Sequence, residues 1–438
     1  MKLDISKIIS DALINRSAKN ATGIQASEGL FRTYKILAMI NGLNLRVPRS
    51  ERLFLKTAIG YYNRVLKASR EHRFIAAYSL GCPAEILYAM DIVPFQLEAT
   101  GWLLSMLLGE TGQLLIGAAE AGVAPEVCSV HRLMAGSFVK RMLPRPGAVL
   151  WTNVPCENSA KSGALLAKLN SCPGFFLDHP YENTPEAQDY LVSEYHRLIC
   201  FLEEASGHYL NQARLVEAVA QSNRQIVLGR EISQLRRRVP SPFPSFTFLK
   251  VLLTNLLFAG QVEGTAWLEA LYGELIEKTK RGQGALFQER FRLINLNLPP
   301  LYFIGPLEKI FQEYRATEVV NPFFLEWRGG ELDPRQPLSS LAKKSLMNPL
   351  MRVYDLNSQQ MLDDFKQVIN DYKVNGAVNY AHIGCSSFGG ISRLVRDTMK
   401  DSGVPILDLP CDITDPTVAS PEEMQEQLVR FFEQLEDS

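Results

Sequence analysis

The chain has 438 residues, of which 46% are hydrophobic and 21% charged, so it carries enough apolar material for two or three globular cores. Its 46 basic and 47 acidic residues leave a formal net charge of -1, which argues against a nucleic-acid binder that relies on bulk electrostatics. We interpret the one short basic run, 236–238, as the solvated end of a helix. We see no signal peptide and no stretch able to span a bilayer, so we expect a cytoplasmic protein without a membrane partner.

Apolar periodicity divides the chain into four segments. Spacings of three and four residues predict a helical arm over 1–73, which would pack on its own core or on a partner subunit. Apolar strands then alternate with helices over 74–185 and again over 290–438, with a helical block over 186–289 between them. Strands that are apolar on both faces are typical of parallel sheets covered by helices. The pattern predicts two doubly wound, Rossmann-like α/β lobes, which could be distant copies of one plan.

Three of the seven cysteines occupy positions where ligands bind in such folds. Cys156 follows the predicted strand 148–151, and Cys385 follows the predicted strand 378–382, at the carboxyl ends of parallel strands. Cys128 lies at a predicted helix start, where backbone amides stabilise a thiolate. Thiolates that converge there could bind a soft metal or an iron–sulfur cluster. The alternative, that they are ordinary buried residues, stays open.

The remaining cysteines are weaker candidates. Cys82 lies in a turn before a helix and could approach a cluster, and Cys411 ends a predicted strand. We expect Cys172 and Cys200 to be packing residues.

Four titratable residues could take part in proton transfer. His382 could donate to a cluster sulfur or move a proton, the alternative being a hydrogen-bonded structural histidine, and the same two interpretations apply to His131. Glu85 and Glu98 could act as acid or base, with surface or capping roles as the alternative. The loop 384–390, GCSSFGG, matches neither GxxxxGK[ST] nor GxGxxG, which argues against a nucleotide-phosphate cradle.

The order of several short segments resembles one known family. The segments are CPAEILYAMDIVP (82–94), CSVHRLMAGS (128–137), WTNVPCENSAK (151–161), NYAHIGCSSFGG (379–390), GVPILDLPCDITD (403–415) and RFFEQLE (430–436). Together they resemble the 2-hydroxyacyl-CoA dehydratase and ATP-dependent benzoyl-CoA reductase subunits over about 68–436. One departure is Asp91, which stands where the family usually has glycine.

The resemblance implies a cofactor and its ligands. The family's three cluster-binding cysteines correspond to Cys128, Cys156 and Cys385, which would hold a 4Fe-4S cluster with one iron open. It leaves open a larger or double cluster that includes Cys82 or Cys411. Ser386 and Ser387 would donate hydrogen bonds to the cluster, and two glycines, Gly389 and Gly390, would let the backbone approach it. The catalytic residues are then expected to be His382, Ser386 and Glu85.

The resemblance also implies partners and a reaction. A related second subunit and a separate ATP-hydrolysing activator would accompany this chain, and the substrate would be an acyl-CoA or aroyl-CoA thioester. One electron would convert the thioester carbonyl to a ketyl radical anion, for either 2-hydroxyacyl-CoA dehydration or aromatic-ring reduction. The alternatives are a non-catalytic, cluster-bearing electron relay and a double-cubane-type reductase of small molecules that uses no CoA.

Overall fold

The computed structural model describes residues 47–108, 111–321, 327–349 and 358–437. Most of the predicted arm, 1–46, lies outside these residues. The part that is described contains a helix, Arg49–Arg70.

Four parallel strands form the first sheet, in the order β2-β1-β3-β4. They are β1 (Ile75–Tyr78), β2 (Val93–Gln96), β3 (Ala148–Thr152) and β4 (Gly174–Leu177). Every residue of β1 and β2 is buried, as expected for a parallel sheet with helices on both faces.

The second sheet repeats this plan with the order β6-β5-β7-β8, again with all strand pairs parallel. Its strands are β5 (Phe291–Leu296), β6 (Ala316–Val320), β7 (Gly376–His382) and β8 (Ile406–Cys411). In both sheets the chain changes direction across the sheet beside the first strand, between β1 and β3 and between β5 and β7. Such switch points are where open α/β sheets bind ligands. The predicted fold class, two doubly wound parallel lobes, is confirmed.

Helices cover the sheets and link them. Those of the first half are Arg49–Arg70, Ala84–Ala89, Leu97–Leu108, Gly112–Glu120, Ser129–Val139 and Glu157–Asn170. Between the sheets lie Pro185–Ser206, Gln212–Arg236, Thr247–Leu257 and Val262–Lys280, and the second half contains Ile304–Glu313, Pro337–Leu346, Ser358–Asp371, Ser386–Asp401 and Pro421–Asp437. A short 3-10 turn covers Leu301–Phe303. Among the described helices, none is both long and apolar enough to cross a bilayer.

Local signals explain two of the long connecting helices. The Thr184 side chain accepts a hydrogen bond from the Ala187 amide at 3.1 Å, with a proline at the next position, which starts the helix Pro185–Ser206. Asn211 caps the helix Gln212–Arg236 in the same way, through the amide of Arg214 at 3.1 Å.

The described part of the arm docks on its own chain. The Ser50 amide donates to Oε1 of Glu274 at 2.8 Å, and the Phe54 and Trp267 ring centroids are 5.4 Å apart. Both partners lie on the helix Val262–Lys280, so the first of the two predicted packing modes applies to this helix.

The two halves of the chain are joined through buried polar contacts at the loop that follows β8. Thr111 Oγ1 donates to the carbonyl of Thr414 at 2.6 Å, and Ser129 Oγ donates to Oδ1 of Asp412. All four side chains are buried. Ser129 directly follows Cys128, so this junction fixes the position of one candidate ligand relative to the second half.

Candidate functional site

Each of the three predicted cysteine ligands immediately precedes a helix. Their backbones leave the helical conformation at the cap position, so the thiol is placed at the helix N-terminus, among amides that have no partner within the helix. The pairs are Cys128 with Ser129–Val139, Cys156 with Glu157–Asn170, and Cys385 with Ser386–Asp401, here called the Cys128 helix, the Cys156 helix and the Cys385 helix.

The three thiols influence one another electrostatically. Burial raises the pKa of Cys128 well above its usual value, and the charges of Cys156 and Cys385 raise it further. Burial also raises the pKa of Cys156 to about 11, with Cys385 as the next contributor. The backbone N–H groups of Asn158 and Ser159 act in the opposite direction on Cys156. The sequence signal therefore selected three cysteines that lie close together in the fold.

The loop before Cys385 packs tightly on Cys128. A Cβ atom added to Gly384 would lie 2.9 Å from Cα of Cys128 and 3.3 Å from its backbone nitrogen. Only glycine allows this approach without a backbone shift. Since the two cysteines come from different lobes, Gly384 sets the spacing between them.

The donor types at this position fit an iron–sulfur cluster. Three thiols that repel one another as anions and are partly shielded from water are the ligands that a soft, positively charged iron centre requires. Within the described residues, no group of three or more His, Cys, Asp or Glu side chains could hold one metal ion. A four-iron cluster places each thiolate on a different iron, so its ligands stand farther apart than those of one ion.

A buried glutamate lies beside the Cys156 helix. Glu98 Oε2 accepts hydrogen bonds from the Leu80 amide at 3.1 Å and from Gln96 Nε2 at 2.7 Å, and Ser159 Oγ donates to Oε1 at 3.3 Å. Burial raises the pKa of Glu98 to about 7, although these hydrogen bonds lower it. Its charge also raises the pKa of Cys156. The surface role considered for Glu98 is wrong, because it is buried; its place in the first turn of the helix Leu97–Leu108 is compatible with the capping role.

Both histidines near the cysteines are fixed by hydrogen bonds within the fold. His382 Nε2 lies 2.5 Å from the Leu298 carbonyl oxygen, and its Nδ1 lies 3.5 Å from Sγ of Cys411. His131 Nδ1 lies 2.8 Å from Ser162 Oγ, which connects the Cys128 helix to the Cys156 helix. Burial lowers the pKa of both imidazoles, so they are neutral at pH 7. The catalytic role of His382 stays a prediction; the contacts match its structural alternative.

Glu85 lies in a separate buried network. It pairs with Nζ of Lys344, and Ser222 Oγ donates to its Oε1 at 2.7 Å. Burial acts to raise the pKa of Glu85, but the Lys344 charge and these hydrogen bonds hold it below its usual value. Glu85 is therefore an ionised, paired carboxylate, and the surface role considered for it is wrong. Its catalytic role stays a prediction.

The residues after Cys385 begin its helix. Ser386 is exposed and Ser387 half-buried, in the first turn, and both remain predicted donors to a cluster. Gly389 and Gly390 are exposed, and a Cβ at either would meet no atom of the described structure within 4 Å. The close backbone approach that the structure does contain is at Gly384, one residue before the cysteine.

A cavity of about 170 Å³ adjoins this region. It is lined by the loop Ser79–Cys82 after β1, by one face of the helix Gln212–Arg236, and by Glu85 and Lys344. The same loop also packs against the segment that leads to Cys156. A Cβ added to Gly81 would lie 2.8 Å from the carbonyl oxygen of Val154, two residues before Cys156. The cavity and the cysteines therefore share one loop.

The other four cysteines differ in burial and location. Cys82 lines the cavity, and burial and the charge of Glu98 raise its pKa. Cys411 is fully buried, Cys172 is half-buried against the core, and Cys200 is exposed, so the packing role expected for Cys200 is wrong.

The basic run 236–238 is not solvated throughout, as its sequence had suggested. Its first residue, Arg236, is 3% exposed and lines the cavity.

Fold and site together define a two-lobed α/β protein with three cysteines gathered between its lobes and an adjoining cavity. The family profile of the 2-hydroxyglutaryl-CoA dehydratase D-component matches residues 79–435, and the chain belongs to this family. It is also similar to the lactoyl-CoA dehydratase subunit alpha of Anaerotignum propionicum, with 22% identity over 330 residues that cover 73% of this chain and 74% of that protein. The resemblance derived from the ordered segments is confirmed, and both comparisons indicate a component of a CoA-thioester dehydratase.

Proposed function

We infer that this chain is the iron–sulfur subunit of an activator-driven enzyme that removes water from 2-hydroxyacyl-CoA thioesters. The observation that supports this most strongly is the gathering of Cys128, Cys156 and Cys385, each at a helix N-terminus, at a position shared by the two lobes. The matched family and the similar protein are both named as parts of dehydratases, which favours dehydration over aromatic-ring reduction. The partners are a related second subunit and an ATP-hydrolysing activator.

The proposed roles of the chain's own residues follow from their surroundings. The three cysteines hold the cluster as thiolates, and the helix N-termini offset their negative charge. When bound, such a cluster supplies single electrons at low potential. Gly384 keeps Cys385 and Cys128 at a fixed spacing, and the Ser129–Asp412 hydrogen bond ties the Cys128 helix to the second lobe.

Dehydration also needs a group that holds a proton. The reaction breaks the C–O bond at carbon 2 and a C–H bond at carbon 3, forms a C=C bond and releases water. Glu98 is suited to move one of these protons, because its pKa of about 7 lets it exist in both forms near neutral pH. The cavity, which lies across the loop Ser79–Cys82 from Glu98, would hold the thioester away from bulk water.

Iron content tests the cluster. Protein purified without oxygen should contain about four iron atoms per chain, and Cys385→Ser should lose most of this iron. Cys200→Ser is the matched control, because Cys200 is exposed and its loss should leave the iron unchanged. Iron that is absent from wild-type protein, or retained in full by Cys385→Ser, would overturn the assignment. About eight iron atoms per chain would instead support a double cluster that includes Cys82 or Cys411.

Turnover tests the reaction. Chain, partner subunit and activator, supplied with ATP and a panel of 2-hydroxyacyl-CoA thioesters, should release the corresponding enoyl-CoA. Iron-loaded protein that converts benzoyl-CoA and no 2-hydroxyacyl thioester would show the reductase chemistry instead. An iron-loaded chain that only passes electrons to a partner would be a relay.

A further inference from the structure

The loop that follows β8 places a buried carboxylate beside Cys128. Asp412 is 5% exposed, and its Oδ1 accepts a hydrogen bond from Ser129 Oγ. The amides of Thr414 and Asp415 donate to the same oxygen, each at 2.9 Å. Backbone N–H groups can only donate, so Oδ1 is an acceptor, and the three donors stabilise the ionised carboxylate. Asp412 is therefore a negative charge that the fold holds in one position.

This charge acts on one of the three gathered cysteines. Ser129 directly follows Cys128, and consecutive Cα atoms are about 3.8 Å apart, so the carboxylate lies within about 10 Å of the Cys128 thiol. In agreement with this short distance, the Asp412 charge contributes to the raised pKa of Cys128. Asp412 belongs to the second lobe and Cys128 to the first, so the charge acts across the junction between the lobes.

Within the part of the chain that the structure describes, no cation forms an ion pair with Asp412. Arg132 on the Cys128 helix lies 3.8 Å from Oδ2 of Asp415 and donates to the Pro125 carbonyl at 3.2 Å, so its guanidinium has other partners. His382 is close enough for Asp412 to influence its pKa, but burial lowers that pKa and the imidazole is neutral at pH 7. The negative charge beside Cys128 is therefore not cancelled by a neighbouring positive one.

Building on the proposed function, we propose that Asp412 lowers the reduction potential of the cluster that Cys128, Cys156 and Cys385 would hold. A fixed negative charge near the ligands opposes the addition of an electron. With an effective dielectric constant of about 20, Coulomb's law gives a change of more than tenfold in the reduction equilibrium for a unit charge about 10 Å away. Asp412 is thus a positioning residue that acts through the cluster rather than on the substrate, and the second lobe supplies it.

The alternative is that Asp412 only ties the two lobes together through Ser129. Asp412→Asn separates these roles, because an amide oxygen can accept the same three hydrogen bonds while the charge is lost. Ser129→Ala is the converse change, since it removes the tie and keeps the charge. Asp408→Asn is the matched control: Asp408 lies four residues earlier, about 13 Å back along β8, and pairs with Arg396 at 2.7 Å.

An anaerobic redox titration of the iron-loaded chain measures the potential without turnover. The electron paramagnetic resonance signal of the reduced protein is followed at one fixed pH, because the charge of Glu98 changes near neutrality. Asp412→Asn should keep its iron and be reduced at least about tenfold more easily, which is a rise of about 59 mV for a one-electron couple. Asp408→Asn, and the iron that Ser129→Ala retains, should be reduced at the wild-type potential.

Each other outcome decides against the proposal. A wild-type potential in Asp412→Asn would overturn the inference and leave the proposed function standing. Loss of iron from Asp412→Asn, or an equal rise of the potential in Ser129→Ala, would show that the contact between the lobes matters rather than the charge. An equal rise in Asp408→Asn would show that the effect is not specific to a charge beside Cys128. Wild-type protein that contains no iron would overturn the proposed function itself.

Discussion

Replacing Gly384 by alanine should separate the two lobes at the cysteine site. The new Cβ would lie 2.9 Å from Cα of Cys128, 3.3 Å from its nitrogen and 3.4 Å from the Val127 carbonyl oxygen. All three atoms belong to backbone, so no side chain can rotate away to make room. Overpacking of this kind typically costs about 1–3 kcal/mol. We expect Gly384→Ala to lower the free energy of unfolding by that amount.

The matched control is Gly389→Ala, five residues further along. Gly389 lies within the Cys385 helix, and a Cβ there meets nothing within 4 Å. Since alanine is favoured over glycine inside a helix, this variant should gain about 0.5–1 kcal/mol. The same chemical change is thus expected to have opposite effects on the two sides of Cys385.

Two measurements check this reasoning independently. Urea unfolding gives the free-energy difference whether or not a cluster is present. Iron content after anaerobic purification should fall in Gly384→Ala and stay at the wild-type level in Gly389→Ala, because only the first moves Cys385 relative to Cys128. If Gly384→Ala were as stable as the wild type, the tight contact derived from the backbone positions would be refuted.

Two other predictions concern buried charges. Because burial raises the pKa of Glu98 from 4.5 to about 7, the folded chain keeps a proton there that the unfolded chain releases; wild-type stability should fall as pH rises between these values, by up to about 3 kcal/mol. Glu98→Gln should remove this part of the pH dependence, and unfolding midpoints that keep the wild-type slope would contradict the assignment. Lys344→Met should cost about 3–5 kcal/mol because it leaves buried Glu85 without its partner, and adding Glu85→Gln should recover most of that loss. Equal stabilities of Lys344→Met and the double variant would refute this account of the loss, because they would show that an unpaired Glu85 costs nothing.

The strands and the three cysteines were predictable because their signals are local. The strand expected at 148–151 is Ala148–Thr152, and the strand expected at 378–382 lies within Gly376–His382. Cys156 and Cys385 then followed from a general property of parallel sheets, that functional residues gather beyond the carboxyl ends of strands. Cys128 followed from its place at a predicted helix start, the family resemblance pointed to the same three cysteines, and in the fold Cys128 lies against Gly384.

The residues that were misjudged depend on contacts distant in sequence. Glu98 is buried because Leu80, Gln96 and Ser159 surround it, and the last of these lies sixty-one positions away along the chain. Nothing beside Glu98 in the sequence signals this. Arg236 did carry a local signal, since it follows Ile232 by four residues on the buried face of a helix. Its place in a run of three arginines concealed that periodicity.

The loop Ser79–Cys82 connects the cavity to the surroundings of Cys156. On one side it lines the cavity, and on the other Gly81, at φ +86°, packs against the Val154 carbonyl two residues before Cys156. Its Leu80 amide holds Glu98, which in turn accepts from Ser159 on the Cys156 helix. A thioester in the cavity would therefore lie across one short loop from both the Glu98 carboxyl and Cys156. Because the Leu80 amide and Gln96 hydrogen-bond to the carboxyl from within the fold, its position is set before any ligand arrives, as a proton-transfer group requires.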